Sequence, residues 1–254
     1  TWPNGLAHIA DYLYQKIPAV QRINGMAVQA EESADGVQLT IWNPDTQVRI
    51  NLHAQQVICA TPLQVAWRLF APQMQALGYH AKQHQPHQAA WQISNFALKR
   101  APDEALGAQL AWDNIVYPSQ SLGFVHSQHQ SIRQSSLGQA CVLTAYHAYA
   151  GQSPSAVRQH LLAQDKNTLF DIASQDLNAV YGRSWHSLIE KVDITLRGHA
   201  MASPTVGFLH NRGLQALQQA TGRVLFAHSD LSGFSIFEEA AWWGEQAANK
   251  VVEV

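Results

Sequence analysis

The chain has 254 residues, a formal net charge of −2, and 46% apolar but only 13% charged residues. That length accommodates one large domain or two small ones with a real core, and the near-neutral charge excludes the basic footprint of a nucleic-acid or anionic-membrane binder. Two cysteines, Cys59 and Cys141, make neither a disulfide framework nor a metal site, and the apolar runs are far too short to span a bilayer. Leu6, Ile9, Ala10 and Leu13 recur at helical spacing and predict a helix to about Lys16, ended by Pro18. Strands over 20–30, 37–42 and 48–52 follow, separated by the turn signals Asp35-Gly36 and Asn43-Pro44-Asp45, and read as an antiparallel meander. A buried strand over 56–60 ends in Thr61-Pro62, and a helix then carries Val65, Ala66, Leu69 and Phe70. Residues 72–90 are rich in Gln, His and Pro and read as a solvated linker. His80 and His84 share i, i+4 spacing within it, but without the glutamate of the hydrolytic zinc motif no metal is expected there.

Strand patterns over 89–96, 122–126 and 140–148 predict an antiparallel sheet, with Trp112-Asp113-Asn114 between turns. Ser153 followed by Pro154 is a helix start, and Val157, Leu161, Phe170, Leu177 and Val180 supply apolar faces beyond it. A strand pattern returns over 184–196, followed by Gly198-His199-Ala200-Met201. Near the end, residues 224–227 read as a short buried strand, followed by the carboxylate Asp230 and a glycine turn at Gly233. Ser235 and Glu238 have the spacing of a capping box, and Phe237, Ala240, Ala241, Gly244, Ala248 and Val251 form the apolar stripe of a final helix. A carboxylate and a helix N-terminus are thereby placed at the C-terminal end of a strand, where open α/β sheets bind ligands.

This segment resembles the C-terminal FAD-binding segment of the flavin amine oxidase family. Ala227-His228-Ser229-Asp230 is similar to the family's acidic turn, and Phe237-Glu238-Glu239-Ala240 to its helix start. His228 and Glu239 depart from it, both standing where the family has glycine. The order of helix, meander and strand ending in Thr61-Pro62 also resembles the family. So do Trp112-Asp113-Asn114, Ser121-Leu122-Gly123-Phe124-Val125, His129-Gln130 and Gly198-His199-Ala200-Met201, which resemble a bacterial branch of it. The resemblance implies FAD as cofactor, with Met26, Ala27, Thr61, Pro62, Asp230, Gly233, Ile236 and Phe237 holding it. Asp230 would accept hydrogen bonds from the ribityl hydroxyls. His199 is the implied catalytic residue on the flavin face, and Trp112, Asn114 and Met201 the implied substrate pocket.

The implied fold is mixed α/β: part of a Rossmann-like FAD-binding domain formed by residues 1–71 and 205–254, and an antiparallel-sheet substrate domain over 72–204. The family's first βαβ unit needs G-x-G-x-x-G to bring backbone amides to the pyrophosphate, and no G-x-G occurs in this chain. The chain begins with Thr1 and is therefore expected to be the C-terminal portion of a longer flavoprotein, its N-terminal G-x-G-x-x-G segment belonging to the same or another chain. The expected activity is hydride transfer from an amine or other small substrate to FAD, in a bacterial cytoplasm or periplasm. The alternative is a non-catalytic binding or chaperone-like module that kept the fold and lost the cofactor.

Overall fold

In the computed structural model, residues 2, 5–103, 110–127 and 138–252 are described. The chain is mixed α/β, and its contacts divide it into two units: one of Thr1–Asp11 and Gln88–Met201, the other of Tyr12–His87 and Ala202–Val254. Among the described residues, no helix is long and apolar enough to cross a membrane.

The second unit is built from two sheets. β1 (Met26–Glu32), β2 (Val37–Asn43) and β3 (Val48–Ala54) form an antiparallel meander. The first expected strand begins only at Met26, because residues 19–21 form a 3-10 turn that leaves Val20 91% exposed. β4 (Val57–Cys59) pairs in parallel with β10 (Val224–Phe226), in the register Val57–Val224, Ile58–Leu225 and Cys59–Phe226. α2 (Leu63–Ala76), α6 (Arg212–Gln218) and α7 (Phe237–Val252) bury one face each against this pair.

The stretch 72–90 is not a solvated linker, and its last three residues already belong to a strand that begins at Gln88. Pro72 lies inside α2, which bends at Phe70, and Met74 and Tyr79 are fully buried with Phe70 in the unit's core. A polar composition hid two isolated large apolar anchors. α3 (Ala81–His84) follows, and its His84 ring packs where a side chain at residue 213 would stand: a Cβ on Gly213 would lie 2.4 Å from it. His84 Nδ1 accepts the His80 N–H at 2.8 Å. Burial lowers the proton affinity of the same ring, and the neighbouring His80 adds to the effect.

The first unit carries a five-stranded sheet in the order β6-β7-β8-β5-β9, with β5 (Gln88–Leu98), β6 (Asp113–Asn114), β7 (Phe124–His126), β8 (Cys141–Ala148) and β9 (Ile189–Ala202). α4 (Pro154–Ala163) and α5 (Lys166–Tyr181) pack on it. Asp165 caps α5 by accepting the Thr168 N–H at 2.8 Å, and Gly182 ends it at φ +65°. β9 runs through Gly198-His199-Ala200-Met201, so that motif lies within a strand and not after one. The Arg158 side chain of α4 crosses Gly198, 3.1 Å from where a Cβ would be.

Phe96, Leu98, Phe124, Leu143, Leu177 and Trp185 form the main core of this unit, with the Phe96 and Trp185 rings edge to face at 5.1 Å. Gly123 holds φ +92° against β6, and a Cβ there would lie 2.0 Å from the Asn114 carbonyl oxygen. Gly123→Ala therefore combines a left-handed backbone with a clash against backbone. A loss of about 2–3 kcal/mol is expected, roughly 5–10 °C in Tm by calorimetry; an unchanged Tm would contradict the packing.

Candidate functional site

The C-terminal ends of the parallel strands β4 and β10 carry the turns 60–62 and 227–233. Pro62 stands immediately before the first residue of α2, where an N–H would have no helical partner. The Thr61 hydroxyl lies 3.3 Å from Cys59 Sγ. After β10, the Ala227 N–H continues the pairing to the Cys59 carbonyl at 3.0 Å, and a 3-10 turn over Ser229–Leu231 brings Asp230 inward.

Asp230 is 2% exposed, and its Oδ2 accepts the Leu63 N–H at 3.0 Å. Leu63 opens α2, so the carboxylate sits on a helix N-terminus where both the free N–H groups and the dipole favour negative charge. His228 Nδ1 accepts the Asp230 N–H at 3.1 Å. That bond needs a lone pair on Nδ1, so the 3.3 Å approach of Nδ1 to Oδ2 becomes an ion pair only in a protonated ring that gives the bond up. Burial, and then the Asp230 charge, push the Tyr79 phenol far above its ordinary range, and its hydroxyl donates to Gln85 at 2.8 Å.

Gly233 is buried at φ +76°, and a Cβ there would come within 2.7 Å of Phe208. α7 begins one position later than the expected capping box. The Ala240 N–H bonds the Ile236 carbonyl, and the Ser235 hydroxyl accepts the Ala202 N–H at 2.9 Å. Its buried face centres on Trp243 and Ala247, with Trp242, Ala241 and Ala248 turned outward, and of the two adjacent indoles it is that of Trp243 that finds a partner, donating to Ser232 Oγ at 3.1 Å. Ile236 is 52% exposed, Phe237 half-buried, Met26 61% exposed at the start of β1, and Ala27 half-buried beside it.

The remaining expected residues belong to the first unit. His199 occupies an exposed position of β9, and Met201 is half-buried near its end. Trp112 is 61% exposed. Asn114 spends its amide on its own turn, accepting from the Ala111 N–H at 2.9 Å and donating to the carbonyls of Ala111 and Phe124. His129 and Gln130 lie outside the described residues.

Sequence reading missed a buried polar group in this unit. Asp176, on the buried face of α5, is 3% exposed and accepts from the hydroxyls of Ser119 and Ser121. Across from it stand Gln92 on β5 and His147 on β8, directly paired in the sheet register. The legible signal was the alternation Gln88, Ala90, Gln92, Ser94, Phe96 and Leu98, which places polar residues on the buried face of a strand. Desolvation lowers the proton affinity of His147, opposed in part by the Asp176 charge.

Two outcomes follow. Asp230→Ala strands the Leu63 N–H and is expected to cost about 2–3 kcal/mol in urea unfolding without any flavin present, while Asp230→Asn, which keeps an acceptor oxygen, retains most of it; equal stability of Ala and wild type would remove Asp230 from its structural role. For His147, the folded value lies below the ordinary 6.5, so its contribution is complete above that pH and is lost as the pH falls. His147→Gln should flatten that part of the stability–pH curve, and an unaltered curve would contradict it. Compared with protein-family models and with curated proteins, the chain matches none.

Proposed function

We propose that this chain supplies the C-terminal half of an FAD-dependent oxidoreductase of the flavin amine oxidase type, which transfers a hydride from an amine or another small substrate to FAD. The observation that supports it most is the parallel pair β4–β10, with Thr61-Pro62 and the Asp230 turn at the C-terminal ends of its strands. Turns at that end of a parallel sheet are where α/β folds take nucleotide ligands. On this reading the second unit is the remainder of a Rossmann-like domain, and the first unit carries the substrate side with His199.

The free edge of the pair supports the need for a further segment. The Val57 N–H donates to the Arg223 carbonyl and the Cys59 carbonyl accepts the Ala227 N–H, so both face the side of β10. Backbone groups alternate in direction along a strand, so the N–H and carbonyl of Ile58 point to the opposite edge. Parallel strands normally lie inside larger sheets covered on both faces. A third parallel strand at Ile58, from a βαβ unit with G-x-G-x-x-G, would complete the sheet and bring the pyrophosphate cradle that this sequence lacks. With FAD bound, the cofactor supplies the redox chemistry, and the chain's own residues bind and orient it.

The burial of Asp230 favours the second reading, a non-catalytic module on the same fold. Its carboxylate already serves α2, and His228 fills the position where the family has glycine. FAD titration into the product of the complete coding sequence separates the two. The oxidoreductase reading expects micromolar or tighter binding, visible flavin absorption, and bleaching of that absorption on addition of a reducing amine substrate. A folded full-length protein that stays colourless in excess FAD overturns it.

A further inference from the structure

The polar group between the sheet and α5 of the first unit lines a small, partly open cavity, walled by Gln92, Ser94, Ser121, His147 and Asp176 together with Ala145 and neighbouring residues. Its free volume of about 10 Å³ admits one particle the size of a water molecule. Gln92 is 1% exposed, and its amide is fixed: Nε2 donates to the Leu169 carbonyl at 2.7 Å. Oε1 is thereby turned away from that donor, and it has no hydrogen-bond partner. Asp176 is held by two neutral hydroxyls, and among the described residues no Lys or Arg pairs with it. His147 Nδ1, on the same wall, also has no partner.

The wall is thus rich in acceptors and holds one buried carboxylate without a fixed cation. Buried carboxylates are ordinarily paired with a cation or coordinate a metal, and an orphaned amide oxygen is completed by a donor or a Lewis acid. A single water would satisfy the amide but leave the charge. Ca²⁺ takes 6–8 oxygens and Mg²⁺ retains several waters, for which one water-sized space has no room. We propose that this cavity binds one monovalent cation of the size of Na⁺, with Gln92 Oε1 and the Asp176 carboxylate as its ligands and the hydroxyls of Ser94 and Ser121 beside them. The ion bridges β5 and α5 and locks the helix to the sheet.

Thermal unfolding of the whole chain at pH 8, where imidazole is neutral, tests this with NaCl exchanged for choline chloride at constant ionic strength. Above half-saturation, Tm is expected to rise by about 3–6 °C for each tenfold increase in Na⁺, and choline, which is too large for the space, to have no such effect. Asp176→Asn, which keeps polar contacts to both serines, should lose the response. Gln92→Leu should weaken it, and serves should the first variant not fold. A wild-type Tm that is flat in Na⁺, an equal response to choline, or a full response in Asp176→Asn would each overturn the site.

Discussion

A hydrogen bond joins positions 63 and 230: the buried Asp230 carboxylate accepts the first N–H of α2. It ties the turn after β10 to the helix that leaves β4, so the two parallel strands end against one polar knot. The arrangement solves two problems at once. The open N-terminus of a 14-residue helix gains an anionic acceptor, and a carboxylate that is 2% exposed gains a donor and a favourable dipole. Leu63 itself, and Phe226, Ala227 and Leu231 near Asp230 in the chain, all belong to the unit's buried core. Around the same knot, Gln218 donates to the Leu231 carbonyl at 2.7 Å, and Lys250 of α7 closes the end of α6 on the carbonyls of Gln218 and Ala220. The C-terminal third of the unit is therefore organised by side-chain contacts to backbone ends more than by sheet, since β4–β10 has only three residue pairs.

The first unit uses buried polarity differently. Its apolar packing falls into two clusters, one around Phe96, Leu177 and Trp185 and one around Ala90, Tyr149, Val157 and Leu161. Along β5 the residues between them on the buried face are Gln92 and Ser94. With Asp176 from α5, they form a polar band whose geometry is specific, because each group has few compatible positions. The same Asp176 also pins residues 119–123: Ser119 accepts the Ser121 N–H, and Ser121 accepts the Gly123 N–H. One helical carboxylate thereby fixes the loop that leads into β7.

Much of the fold was legible in the sequence where one period dominated. The meander of β1–β3, the short strands β4 and β10 and the helix opened by Pro154 lie close to where alternation, turn residues and caps place them. The rest depended on packing that local pattern does not encode. Met74 and Tyr79 are single apolar residues in a polar stretch, and only tertiary contact makes them core. The α7 stripe was read from many small residues, whereas the buried positions are Trp243 and Ala247. For the candidate site, Asp230 stood out as a carboxylate between a strand and a helix, but its partner Leu63 lies far away in sequence and gives no local sign. Asp176 was masked by its neighbour Leu177, since both face inward on α5.

The functional account joins these features: a parallel strand pair whose C-terminal ends hold the Asp230 knot, and a strand edge at Ile58 with backbone groups directed away from β10. Its central claim is that β4 is an inner strand of a larger sheet. Amide hydrogen exchange at Ile58 measures this directly, compared between this chain alone and the product of the complete coding sequence. The account expects fast exchange at Ile58 beside protected Val57 in the chain alone, and strong protection of Ile58 in the complete product. An Ile58 amide that exchanges equally fast in both would contradict it.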